Sequence, residues 1–239
     1  MSQEFTRGLS YSVADSRVDL VNALFRRVYQ WMAIGLILTA VTAYGVASNG
    51  TLMRVFYGSP MPLIVVAVAT LGLVFALSAG IRRISAGAAS ALFVIYSVLN
   101  GLLCSGVLLL YAQESVYSAF FSTAGMFAVM SVYGLYTRRD LTSLGSFLYM
   151  GLIGLIISGL VNLFVRSTMV EFVTSIVGVV VFLGLTAYDT QTIRRMGDEI
   201  EDGEDGVTIR KAAVLGALSL YLDFINIFLY LLRLFGKRR

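Results

Sequence analysis

The sequence predicts an all-α membrane protein, a bundle of seven transmembrane helices, and three observations carry that prediction. Hydrophobic residues make up 58% of the 239 and charged residues only 13%, about half the charged share of a soluble domain. Seven apolar runs reach the length of some 20 residues that a helix needs to cross a hydrocarbon core of roughly 30 Å. None of them alternates polar with apolar residues as a membrane-spanning strand would.

Taken in order, the first element is a polar stretch, 1–27, read as a cytoplasmic N-terminal tail. It has no short apolar core followed by a small-residue cleavage site, so no removable signal peptide is expected. The spans are placed at 28–48, 61–81, 86–111, 116–137, 144–166, 170–194 and 212–235. The chain's two prolines, Pro60 and Pro62, stand at the entrance of the second span. Ser90, Ser97, Asn100 and Cys104 follow a near-heptad spacing in the third, which Gly101 and Gly106 thin. No internal repeat is evident, and 28–239 reads as one transmembrane domain.

Lysine and arginine set the expected orientation. Twelve of them lie on the side of the N-terminal tail (Arg7, Arg17, Arg26, Arg27, Arg82, Arg83, Arg138, Arg139, Arg194, Arg195, Arg210 and Lys211), against Arg54 and Arg166 in the opposite loops. The N-terminus is therefore expected in the cytoplasm. Arg233, Lys237, Arg238 and Arg239 disagree, since a full seventh span would put them outside. A re-entrant seventh run would return them to the cytoplasm, but its 24 residues are ample for a full crossing.

Composition narrows the chemistry further. Cys104 is the only cysteine, so no intrachain disulfide or thiolate metal site can form. There is no histidine, which removes the usual sensor of neutral pH. Proton chemistry must use carboxylates. The net charge of +4 is dispersed among loops, which points away from nucleic acid.

Twelve of the fourteen acidic residues lie in a tail, a loop or a helix end. The exceptions are Asp189, in "LTAYDTQ" of the sixth span, and Asp223, at the middle of the seventh. An aspartate at a helix centre costs roughly 2.5–3.5 kcal/mol on insertion scales, so neither belongs against lipid. Gly216, Ser219, Asp223, Asn226, Tyr230 and Arg233 recur at steps of 3 and 4 and form one polar seam along the seventh span. Asn100 and its neighbours in the third span offer a partner for that seam. Counted from Arg194 and Ala212, the two aspartates differ in depth by about 9 Å at 1.5 Å per residue. Proximity would need that gap closed. Arg82 and Arg83 end the second span on the side of Asp189, as topology-setting residues or as ion-pair partners.

"SLYLDFINIFLYLLRLFG" in the seventh span, "YDTQ" in the sixth and "TRRDLTSLGSFL" after the fourth resemble the transmembrane Bax-inhibitor-motif family, bacterial branch. The similarity covers nearly the whole chain. It implies a seven-helix bundle with the last helix central, in the bacterial cytoplasmic membrane. It also implies a calcium leak controlled by a proton-sensitive aspartate pair, here Asp189 and Asp223, which would meet calcium only transiently. An arginine latch would fall on Arg83 or Arg82, in "IRRISAG". Two close carboxylates cannot both ionise cheaply, so they would share a proton. Its loss would leave like charges that a divalent cation could screen.

The acidic connection "RRMGDEIEDGEDGVTIRK" departs from the shortest forms of the family. It is no EF-hand: counted from Asp198, the third and twelfth positions are Ile200 and Ile209. No resident cofactor is expected; the partners implied are the bilayer and calcium ions. An alternative role is a membrane regulator that binds a membrane protease or a stress-response partner. An intramembrane aspartyl protease would match Tyr188–Asp189, but "YLDF" lacks the Gly-x-Gly-Asp of such enzymes, so no enzyme is expected. A proton-coupled transporter would need paired, Gly/Pro-broken half-helices that the chain lacks.

Overall fold

A computed structural model describes residues 2–81, 83–200 and 206–239, with side chains from Val18 onward. Arg82 and the acidic residues at 201–205 lie outside the described residues. Eight helices follow in order: α1 Ser2–Ser48, α2 Gly50–Tyr57, α3 Pro60–Gly80, α4 Ala86–Leu110, α5 Gln113–Tyr136, α6 Thr142–Val165, α7 Thr168–Glu199 and α8 Gly206–Phe235. All but α2 contain a stretch long and apolar enough to cross a membrane, as the seven apolar runs predict.

The helix ends follow local chemistry. The Asn49 side chain accepts hydrogen bonds from the Thr51 and Leu52 amides and starts α2, a short helix that the hydropathy pattern does not announce. The Ser85 hydroxyl accepts from the Ala88 amide at the start of α4. α6 stops where Arg166 turns left-handed at φ 52°, and the Asn162 side chain then accepts from the Ser167 amide.

Two helices extend beyond their apolar runs. α1 is already packed well before residue 28: Leu24 and Phe25 are buried with Val28 in a cluster that includes Ile193 and Ala213. α8 starts at Gly206, six residues before the apolar run, and continues unbroken to Phe235. Its 30 residues form one unbroken helix, long and apolar enough for the full span expected from sequence. Beyond it the chain pairs with the α4–α5 turn. The Ala112 amide donates to the Lys237 carbonyl and the Arg239 amide to that of Leu110, both at 2.9 Å. Arg238 also meets Glu171 near the start of α7 at 3.1 Å. The C-terminus thus shares one face with the α4–α5 and α6–α7 turns, here called the C-terminal face.

α8 packs against α1, α4, α5 and α7, whereas among the described residues α6 packs chiefly on α7. In its most apolar stretch 67% of α8 is buried, against 11–33% in the other six spans, so α8 can house ionisable groups away from lipid. Hydrocarbon supplies no hydrophobic drive between helices, so close packing depends on small residues at the contacts. Gly101 of α4 lies against the α1 backbone at Thr39, and Gly134 of α5 against the α7 backbone at Ala187.

Candidate functional site

α7 and α8 run antiparallel, and their register decides whether the two aspartates meet. Ile193 packs on Gly216, and Tyr230 packs on Gly178 at the other end. Between these contacts Asp189 lies against Ser219, while Asp223 lies against Thr186 and faces Asp189. In this register Asp189 is level with about residue 219, so Asp223 stands about one turn, some 5 Å, further along. The 9 Å mismatch expected from sequence treats Arg194 and Ala212 as level. They are not, and the helices slide past that alignment by about two to three residues.

Both carboxylates are enclosed, Asp189 at 9% exposure and Asp223 at 3%. Each lies beside a hydroxyl residue of the opposite helix. The Thr186 hydroxyl gives its one proton to the Phe182 carbonyl of its own helix at 2.8 Å, which leaves none for Asp223. Asp223 Oδ2 has no hydrogen-bond partner among the described residues. A buried carboxylate oxygen without a donor is costly, and a second carboxylate beside it adds like-charge repulsion. A shared proton or a cation would relieve both. No group of three or more His, Cys, Asp or Glu side chains converges among the described residues. Calcium takes six to eight oxygens, so two carboxylates alone suit a passing ion better than a resident one.

The rest of the seam divides. Ser219 belongs to the pair, as stated. Asn226 spends its amide on the Leu222 carbonyl of its own helix at 2.8 Å. Tyr230 lies 5.9 Å from the Phe182 ring and carries the Arg233 guanidinium over its face at 5.3 Å. Asn100 does not join the aspartates: its amide donates to the Tyr221 hydroxyl at 2.7 Å, on nearly the opposite side of α8 from Asp223. Tyr221 is fully buried, and its hydroxyl also meets Thr39 Oγ1 at 2.6 Å. Of the third-span stripe, the Asn100 side chain thus serves a hydroxyl network joining α1, α4 and α8, while the Ser97 hydroxyl bonds the Phe93 carbonyl of its own helix.

Arg83 is exposed in the turn after α3 and takes part in neither of the two described ion pairs. It makes no described ion pair with Asp189 or Asp223, and among the described residues α3 packs chiefly on α2 and α4. Arg82, the other latch candidate, lies outside the described residues.

A second polar cluster escaped the sequence reading. The Gln191 side chain accepts from the Leu141 amide at 2.9 Å and donates to the Arg139 carbonyl at 2.8 Å. One turn on, Arg195 binds Asp140 and donates to the Thr142 hydroxyl. The Thr142 hydroxyl and amide, with Arg195 after them, hold the Asp140 carboxyl down at about 2. This cluster pins the α5–α6 turn to α7 just beyond Asp189. The available signal was "TRRDLT" itself: an aspartate two residues before a threonine at a helix start forms a local turn.

Comparison with known proteins agrees with this architecture. Residues 21–239 match the family described as Inhibitor of apoptosis-promoting Bax1. The inner membrane protein YbhL of Escherichia coli K12 is 45% identical over 230 residues, covering 96% of this chain and 97% of YbhL. An uncharacterized protein of Borreliella burgdorferi is 45% identical over 91% of this chain and 93% of its own length. An uncharacterized membrane protein of Streptococcus pyogenes serotype M1 is 37% identical over the same shares. The chain is an integral membrane protein that belongs to the Bax inhibitor family.

Proposed function

We propose that the protein is a pH-sensitive calcium leak pathway of the bacterial inner membrane, gated by Asp189 and Asp223, with its N-terminus in the cytoplasm. The observation that carries the proposal is the enclosed carboxylate pair between α7 and α8, one of whose oxygens lacks a donor. With one proton shared, the pair holds the two helices together. Loss of that proton leaves two like charges in a poorly screened interior. The helices then separate, and a hydrated divalent cation screens the repulsion as it passes. No latch is assigned to Arg83, which makes no described ion pair with either aspartate. Neither aspartate is assigned a catalytic role.

Calcium entry into dye-loaded proteoliposomes, measured across pH, tests the proposal. The parent's leak should rise with pH. Asp189→Asn and Asp223→Asn should each lose that dependence, since an amide can neither give up a proton nor repel its neighbour. Variants that keep the parent's flux and pH response would overturn it.

A further inference from the structure

A slot of about 440 Å³ opens sideways between α1 and α5, with α4 and α8 as its floor. That volume falls within the roughly 300–1,000 Å³ of small-ligand sites. Among the described residues α1 and α5 form no packed interface with each other, so the slot opens between them on the outer surface of the bundle. No Asp, Glu, Lys or Arg lines it. The floor is apolar, with Phe224, Ile225 and Phe228 of α8, and Phe120 of α5 meets Phe224 edge-on at 5.5 Å.

Its dimensions match one leaflet. The α5 wall runs from Gln113, the first residue of its helix, to Phe121, about 12 Å at 1.5 Å per residue. The α1 wall runs from Tyr44 down to Leu36, again about 12 Å. Both start near the C-terminal face and stop near mid-membrane, since half the hydrocarbon core is about 15 Å. Below the mouth the polar lining is Cys104 and Thr39, whose hydroxyl is taken by the Ser97 carbonyl and the Tyr221 hydroxyl; at the mouth Gln113 Nε2 donates to the Tyr117 hydroxyl at 2.7 Å, and Tyr44 is 69% exposed. Tyrosines at that depth suit the headgroup boundary.

We propose that this slot is a binding site for one phospholipid acyl chain of the leaflet at the C-terminal face, with the ester region at Gln113, Tyr117 and Tyr44. The medium at this depth is hydrocarbon, so transfer of a chain from bulk lipid gains no hydrophobic free energy. Selectivity comes from dispersion contact: an unfilled slot forfeits the partner atoms on one side of its lining.

The test uses the wild-type protein reconstituted with a phosphatidylcholine that carries a photoactivatable diazirine in mid-chain. After irradiation, adducts are mapped by peptide mass spectrometry. The expected result is a several-fold excess of adducts at 36–44, 104–108 and 113–121 over the exposed apolar faces of α3 and α6. Ala40→Trp, which plugs the slot from its exposed rim, should bring that excess down to the level of α3. Equal adduct density on all faces of the wild type would overturn the proposal, as would fewer adducts in the slot than on α3 and α6, which would mark a second copy covering it. Unchanged adducts in a folded Ala40→Trp would overturn it too. The wild-type map decides even if that variant does not fold.

Discussion

Gly134 of α5 bears on the position of Asp189 through a single contact. A Cβ added there would overlap the Ala187 carbonyl oxygen and stand 2.9 Å from both Ala187 C and Cα. An ordinary carbon contact is 3.5–4.0 Å, so the α5 and α7 backbones must part by about 0.6–1.1 Å. The obstacle is helix backbone, which cannot rotate away as a side chain can. Overpacking of this kind costs about 1–3 kcal/mol, and replacing Gly in a helix returns about 1 kcal/mol. Gly134→Ala should therefore destabilise the bundle by up to about 2 kcal/mol. Gly125 on the same helix is the control, because nothing lies within 4 Å of its added Cβ. Unfolding of both variants by SDS titration, followed through the single tryptophan, Trp31, gives the comparison. Equal stability of Gly134→Ala and Gly125→Ala would refute the close approach of α5 to α7.

Other expectations follow from the polar networks. Tyr221→Phe removes the hydroxyl shared by Thr39 and Asn100; it should cost about 1–2 kcal/mol, and adding Asn100→Leu should restore part of that loss in the same titration. Gln191→Leu strips the Leu141 amide and the Arg139 carbonyl of their partner, so the Leu141 amide should exchange with deuterium several-fold faster. Asp140 titrates at about 2 in the folded protein, below the ordinary value of about 3.9. Its hydrogen bonds from the Thr142 hydroxyl and amide, with Arg195 after them, therefore stabilise above about pH 4, and that contribution disappears as pH falls towards 2. Melting temperatures of wild type and Asp140→Asn should differ at neutral pH and converge at the acid end. Removing residues 237–239 frees the Ala112 amide from the Lys237 carbonyl; exchange should quicken at Ala112 and stay unchanged at Leu141.

The spans were legible in the sequence because hydropathy over some 20 residues directly reflects the bilayer's thickness. Asp189 and Asp223 stood out for the same reason, as charges in hydrocarbon. Their register did not. Helix ends had to be guessed from apolar boundaries, and α8 begins six residues before its boundary, so the alignment of α7 with α8 slipped by most of a turn. Asn100 was misassigned because a heptad stripe identifies a face of a helix without naming the face opposite; Tyr221, the true partner, reads as an ordinary aromatic in "SLYLDF". α2 was missed because eight residues are too few for a hydropathy window, although Asn49 is a readable cap. The α5–α6 clamp depends on Gln191 and Arg195 reaching some 50 residues back along the chain, and local pattern carries no such information.

The central claim is that Asp189 and Asp223 share one proton whose loss opens the α7–α8 interface. Infrared difference spectroscopy of the reconstituted protein across pH, with calcium flux recorded on the same preparation, tests it most directly. The account predicts a protonated carboxyl band that titrates in step with the rise in leak and is absent from Asp223→Asn and Asp189→Asn. A wild-type spectrum with no protonated carboxyl at the pH where the leak is closed would contradict it. So would a band that survives both substitutions.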